Sequence, residues 1–246
     1  MGTLDVKHSF LKVIFFDAAG TLFHIKGSVA DVYLKYAKKY GLQESLSLRS
    51  SINSAFSYAF QQAPPPIFAV SQPEKLKQCE RLWWFDIVHA VFYRVGMFEG
   101  FDEYFDEVFE AFGRAEHWEI QPELIPLLTE LKEQQFELGI ISNFDTRLFQ
   151  ILNDLSLSNY FDTITISSLV QAVKPSREIF QYALDEHAVE PHEALHVGDS
   201  LTEDWEGATK SGLKAVLLCE KNKLPQHIVK ISHLRELPHI LSTYHV

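Results

Sequence analysis

The sequence predicts an α/β protein: a doubly wound parallel sheet interrupted, just after its first strand, by an all-helical insert. Three observations predict it. Short apolar runs recur through the second half of the chain and alternate with helix-length segments. One further apolar run, residues 11–16 (LKVIFF), stands alone near the N-terminus. Between them, residues 28–113 carry helical periodicity and no strand-like run. Alternating helices and apolar strands imply a parallel sheet covered on both faces, and the solitary first run is needed to complete it.

Each element has its own signal. LKVIFF reads as a short buried strand. Residues 28–40 (SVADVYLKYAKKY) read as a helix that stops at Gly41. Residues 44–62 continue the helical pattern until Pro64, Pro65 and Pro66, which have no backbone N–H to give. Residues 74–95 place Trp84, Val88, Val91 and Val95 on one helical stripe. A shorter helix over 99–112 alternates Phe with acids, an amphipathic pattern with a solvated face. Helix 123–135 then leads to strand 136–141 (FELGII), and helix 146–155 to strand 163–167. Helix 176–187 leads to strand 194–198 (ALHVG), and helix 201–210 to strand 214–218 (KAVLL). The expected domains are therefore an α/β core, residues 1–23 and 115–246, and a helical insert, residues 24–114. Ligands of open α/β sheets bind beyond the carboxyl ends of the strands. An insert that emerges there is placed to act as a lid.

Composition narrows the function classes. The chain has 246 residues, 46% apolar and 22% charged, which excludes disordered and low-complexity classes. A chain of this length buries about 70–75% of its unfolded surface and needs no staple. Only Cys79 and Cys219 are present, so no disulfide framework or zinc knuckle is expected. The net charge of −11 argues against a nucleic-acid groove and against a polybasic membrane surface. No apolar run approaches the ~18–20 residues of a membrane helix. The first ten residues include Asp5 and His8 and lack a long apolar core, so no secretory signal is read and a cytoplasmic protein is expected. Nothing in the sequence speaks to oligomeric state.

Four strand ends carry polar residues that an apolar core disfavours. They are VIFFDAAGTLF (13–23) with Asp17, GIISNFD (139–145) with Ser142, VKPSREIF (173–180) with Lys174, and HVGDSLTEDWEGA (196–208) with Asp199 and Asp204. An Asp after a strand is often only a helix N-cap. Four such ends together make a kit. Asp17 and Asp199 are hard oxygen donors suited to Mg²⁺. The Ser142 hydroxyl and the Lys174 ammonium suit a phosphoryl oxygen. Carboxylates and one lysine at a switch point fit metal-assisted phosphoryl transfer better than acyl transfer.

In this order and at these strand ends the motifs resemble the four signatures of the haloacid dehalogenase-like hydrolase superfamily. Those are D-x-D-x-T, a strand-end Ser or Thr, a Lys, and G-D-x-x-x-x-D. The insert position resembles that superfamily's helical cap type. Segments RLWWFDIVHAVF (81–92) and ISNFDTRL (141–148) further resemble its rhythmically expressed gene 2-like group. The resemblance implies a Rossmann-like core and a Mg²⁺-dependent phosphatase acting on a small phosphorylated metabolite. It implies that Asp17 is the nucleophile and a metal ligand. Ser142, Asn143 and Lys174 bind phosphate, with Ser142 and Lys174 also serving catalysis. The metal is held by Asp17, the Ala19 backbone carbonyl and Asp199, and Asp204 orients the metal shell or Lys174.

One position departs from that pattern. The superfamily's phosphatases carry a second Asp two residues after the nucleophile, and here it is Ala19. The resemblance then implies loss of general acid–base catalysis, typically worth about 10²–10⁴-fold. Several readings stay open. The substrate has a good leaving group; another residue, with His24 as candidate, takes over; or the protein is a catalytically impaired phosphate-binding or regulatory protein. A phosphonatase-like hydrolase also has Ala there but needs a cap lysine, and none of Lys26, Lys35, Lys38 or Lys39 stands out. A dehalogenase-like hydrolase is disfavoured by the Asp199/Asp204 pair. Two further patterns are decoys. His192–His196 matches H-E-x-x-H, but Pro191 precedes it and His196 belongs to a strand, so the two histidines do not share a helix face. The run Trp83, Trp84, Phe85 reads as helical core.

Overall fold

The computed structural model describes residues 11–220 and 224–244. The expectation of no secretory signal in residues 1–10 lies outside the described residues. Among the described residues no helix is long and apolar enough to cross a membrane, and both cysteines are free.

The chain forms two compact units. The first comprises residues up to Phe23, Ile120–Asn143, and Leu157 onward. Its strands are β1 (Val13–Phe16), β4 (Glu137–Ser142), β5 (Thr163–Ile166), β6 (Ala194–Gly198), β7 (Lys214–Leu218) and β8 (Lys230–Ile231). β2 (Phe23–Ile25) and β3 (Trp118–Ile120) pair separately, where the chain leaves this unit and returns to it. The six-stranded order is β5-β4-β1-β6-β7-β8, and every pairing is parallel. The chain winds outward from β1 through β4 and β5, then reverses to β6, β7 and β8. The reversal falls between β1 and β6, the switch point at which such sheets open a crevice. All four side chains of β1 are fully buried, as an all-parallel sheet covered on both faces requires. Each contributes about 1.5–3 kcal/mol by leaving water.

The predicted strands are present: 194–198 and 214–218 keep their bounds, and the other three differ by a residue or two at their ends. Of the helices of this unit, α5 (Leu124–Glu133) and α8 (Arg177–Glu186) match the periodicity. α7 (Ser167–Val170) and α10 (Leu237–Ser242) had no clear signal. The predicted helix 201–210 splits into a π-helix, Leu201–Glu206, and the α-helical turn α9, Gly207–Lys210. The Trp205 N–H reaches back five residues to the Ser200 carbonyl at 3.1 Å, and wide turns of this kind concentrate at functional sites.

The second unit comprises His24–Glu119 and Phe144–Ser156. It holds α1 (Val29–Ala37), α2 (Leu46–Gln62), α3 (Pro73–Val95), α4 (Phe101–Phe112) and α6 (Leu148–Asp154). Ser28 and Asp31 cap α1 reciprocally, each side chain bonded to the other's backbone N–H. Pro73 opens α3 at a position that needs no donor. Aromatic packing fills the interior, with Tyr33, Phe92, Tyr104 and Phe105 all buried. Of the predicted stripe, Val88 and Val91 are buried, while Trp84 and Val95 are partly so. The expected core segment 115–246 is divided, since residues 115–119 and 144–156 group with the helical unit.

Candidate active site

The carboxyl ends of β1, β4 and β6 and the loop before α8 bring five polar side chains together. Asp17 follows β1 directly, and its N–H donates to the Val197 carbonyl at 2.9 Å. The chain then turns tightly, with Thr21 and Leu22 both donating to the Ala18 carbonyl at 3.2 and 2.8 Å. Gly20 makes that turn possible at φ +99°, and a Cβ there would lie 2.5 Å from Asp199 Oδ2. An isolated bridge links Ala19 to Phe23. Its bonds run through the Gly20 N–H and the Ala18 carbonyl, so the Ala19 carbonyl takes no part in them.

Lys174 is buried, and its Nζ donates to Asp17 Oδ1 and to Asp204 Oδ1, each at 2.6 Å. The Ser142 hydroxyl donates to the same Asp17 oxygen at 3.4 Å, a long contact. Asp204 is held on both oxygens: Oδ1 also meets His196 Nε2 at 2.9 Å, and Oδ2 accepts from the Ser200 N–H at 2.9 Å. Gly198 permits this, because a Cβ there would fall 2.1 Å from the Asp204 Cγ. Asp199 lies exposed at the rim, against Gly20. Oxygens of Asp17, Asp199 and Asp204 all lie within 4.8 Å of one another.

The electrostatics follow from three carboxylates sharing one ammonium. Burial pushes the Asp17 carboxyl up to about 6; Lys174 opposes this, and Asp204 and Asp199 add to it. Burial alone would raise Asp204 too, but the Lys174 ammonium and His196 outweigh it and hold that carboxyl well below its usual range. Burial alone would lower Lys174; Asp17 and Asp204 hold it above its ordinary value. A divalent cation fits this donor set. The cluster offers only hard oxygens and carries excess negative charge. Lys174 and Ser142 occupy Asp17 Oδ1, and the Ala19 carbonyl stays outside the local bridge. Asp17, Asp199 and Asp204 are the carboxylates close enough to share one ion. Asp204 Oδ1 is engaged by Lys174 and His196, while its Oδ2 carries one bond, from the Ser200 N–H.

A model of the haloacid dehalogenase-like hydrolases matches residues 11–212. The chain belongs to the haloacid dehalogenase-like hydrolase family. It is 28% identical over 217 residues to the mouse (Mus musculus) haloacid dehalogenase-like hydrolase domain-containing protein 3, covering 87% of this chain and 84% of that one. It is 31% identical over 150 residues to the Rhythmically expressed gene 2 protein of Drosophila melanogaster, covering 57% of this chain and 58% of that one. A HAD phosphatase from Thermococcus onnurineus superposes with a TM-score of 0.64 at 25% identity, covering 96% of this chain and 100% of the other.

In this family member Asp17, Ser142, Lys174 and Asp204 meet through direct contacts, and Asp199 joins them at the rim. Asn143, expected to contact phosphate, has its side chain engaged within the protein. Its Nδ2 donates to the Lys174 carbonyl at 3.0 Å, and its Oδ1 accepts from the Lys174 N–H at 2.7 Å. It also donates to Glu203 Oε2 at 3.2 Å. Asn143 thus props the lysine loop as a neighbouring strand would. His24 lies in β2, within the helical unit, and burial lowers its pKa. Sequence reasoning missed two participants, His196 and Glu203. A His inside the otherwise apolar ALHVG run was the available signal for the first. Glu203, inside the acidic run TEDWE, carries no such signal.

Proposed function

We propose that this protein is a divalent-metal-dependent phosphohydrolase that works through a phosphorylated Asp17. One observation carries the reading: a buried carboxylate at the switch point has one oxygen held by Lys174 and Ser142, with two further acids beside it. That arrangement orients a nucleophile. The likeness to a HAD phosphatase supports it.

The steps assigned to the protein's own residues are few. An Asp17 oxygen attacks phosphorus in line, and the bond from phosphorus to the leaving oxygen breaks. The Ser142 hydroxyl and the Lys174 ammonium stabilise charge on the phosphoryl oxygens. Water then attacks the same phosphorus, the bond to Asp17 breaks, and inorganic phosphate leaves. Asp17 and Asp199, with the Ala19 carbonyl by the family resemblance, would hold a Mg²⁺, which would supply positive charge for phosphoryl transfer. Asp204 holds Lys174 charged and in place.

Ala19 sets the character of the enzyme. With no acid there, the leaving oxygen departs without a proton from that position. The loss is about 10²–10⁴-fold, or roughly 3–5 kcal/mol of barrier. Aryl and acyl phosphates, whose leaving groups need no proton, are the favoured substrate class. The same alanine supports the second reading, a phosphate-binding protein that turns over weakly. A phosphonatase route draws no support, because Lys26, Lys35, Lys38 and Lys39 are each exposed and paired with glutamates or a glutamate carbonyl.

The test is hydrolysis of para-nitrophenyl phosphate with and without Mg²⁺, by the native chain and by Asp17→Asn. Repeated turnover that needs Mg²⁺ and vanishes in the variant is the expected result. Stoichiometric phosphorylation without turnover would favour the binding protein. Undiminished turnover in Asp17→Asn would remove Asp17 from the nucleophile's role.

A further inference from the structure

The helical unit contains a cluster of bonds that the reading above leaves unused. The chain enters this unit again at Phe144, one peptide bond beyond Asn143. Helix α3 grips the residues that follow. The buried Glu80 carboxylate accepts from the Thr146 N–H at 3.1 Å and from the Thr146 hydroxyl at 2.5 Å. Trp84 lies four residues further along α3, on the same face. Its indole N–H donates to Asp145 Oδ2 at 2.6 Å. Arg147 closes the cluster. Its Nε and Nη2 reach Asp145 at 2.8 and 2.6 Å, and its Nη1 donates to the Phe109 carbonyl at 2.8 Å. The guanidinium also lies 3.9 Å from the Phe109 ring centre and 5.3 Å from that of Trp84.

Such a cluster is a costly way to anchor an ordinary loop. Buried carboxylates need full compensation by donors, and Glu80 and Asp145 are 3% and 4% exposed. A ligand site is the weaker explanation. The adjoining cavity, walled by Trp84, Phe109, Phe144 and Arg147, holds only about 60 Å³, whereas a cavity that admits benzene holds about 150 Å³. Arg147, moreover, already spends its donors on protein acceptors.

Position along the chain suggests another role. The clamped residues follow directly on Ser142 and Asn143. Ser142 donates to Asp17, and Asn143 makes two bonds to the Lys174 backbone. We propose that Glu80 and Trp84 are positioning residues: by pinning Asp145–Arg147 they fix the end of β4, and with it the Ser142 hydroxyl and the Asn143 prop under Lys174. The effect of the clamp on the order of residues 142–147 is independent of any activity. Its effect on turnover rests on the phosphohydrolase reading. A reacting group misplaced by about 1 Å costs on the order of 10²-fold in rate, so a loosened strand end is expressed in kcat more than in KM.

The experiment uses the full chain with Glu80→Ala, Glu80→Gln and Thr146→Val. Glutamine is the discriminating variant. Its Oε1 can accept from the Thr146 N–H and its Nε2 can donate to the Thr146 hydroxyl, so it keeps both bonds without the charge. Hydrogen exchange by mass spectrometry is read over residues 142–147, with para-nitrophenyl phosphate turnover alongside. Glu80→Ala is expected to speed exchange through Ser142 and Asn143 and to lower kcat by about 10²-fold, with little change in KM. Glu80→Gln restores both readouts. Thr146→Val, which removes one bond and buries no new group, reports the same region if the alanine variant fails to fold. Exchange that is unchanged, or faster only over 144–147, overturns the proposal, as does a glutamine variant as disturbed as alanine. A native chain without turnover defeats the phosphohydrolase reading alone; faster exchange at Ser142 and Asn143 in the variants would still support the clamp.

Discussion

Replacing Lys174 by Met tests whether the site is an electrostatic knot held by one cation. Methionine keeps most of the side chain's length and removes the ammonium. In the native protein that ammonium lies 2.6 Å from both Asp17 and Asp204 and is buried with them. Breaking a buried pair by deleting one partner costs about 3–5 kcal/mol, because the other charge is stranded. In a chain of this size about 1 kcal/mol shifts Tm by roughly 2–4 °C, so a loss of about 6–20 °C is expected in metal-free buffer at neutral pH. The pH dependence is the sharper signature. Asp17 is already raised to about 6 with Lys174 present, and without it the carboxyl rises further. A group whose folded pKa exceeds its unfolded value of about 3.8 loses stability as pH climbs through that window. Lowering the pH from neutral to about 5 protonates the stranded carboxyl and returns part of the lost stability. Thermal unfolding followed by circular dichroism at both pH values reads this out. A variant within about 1 kcal/mol of the native protein, or one whose deficit is the same at both pH values, would refute the reasoning.

Two further outcomes follow from the same geometry. Ala19→Asp restores a proton donor at the leaving-group position and should raise kcat for alkyl phosphates by tenfold or more, out of the ~10²–10⁴-fold such a group can supply; steady-state kinetics on alkyl and aryl phosphates check it, with the smaller gain on aryl. In the helical unit, burial would raise the Asp145 carboxyl, but Arg147 outweighs it and holds the carboxyl below its ordinary value. The stability this gives is present above about pH 3.8, the unfolded value, and is lost as pH falls below it; an Arg147→Met variant should show less of that acid-side loss in a pH series of unfolding curves.

Much of the fold was legible in the chain because its strands are buried on both faces. VIFF and ALHVG are runs in which almost every side chain must be apolar, and Asp17 and Asp199 are conspicuous where those runs stop. The short strands β2 and β3 were not legible, since three residues acquire strand character only by pairing with a segment about 90 positions away. The grouping of residues 144–156 with the helical unit was hidden for a similar reason. An amphipathic helix over 148–154 reads the same whichever core it covers, and Glu80 and Trp84, which decide the matter, lie some 60 residues earlier. Asn143 illustrates the limit at the site. Its side-chain amide matches the backbone of Lys174, 31 residues on, a pairing that no local pattern announces. His196 was weighed only as half of a false zinc motif, although its partner Asp204 stood eight residues away.

The measurement closest to the central claim is the site of phosphoryl attachment. The native chain, mixed with Mg²⁺ and acetyl phosphate and quenched in acid, should carry one hydroxylamine-labile phosphoryl group. Peptide mass spectrometry should place that group on Asp17. A phosphoryl group on any other residue, or steady hydrolysis with no covalent intermediate and no dependence on Asp17, would contradict the account.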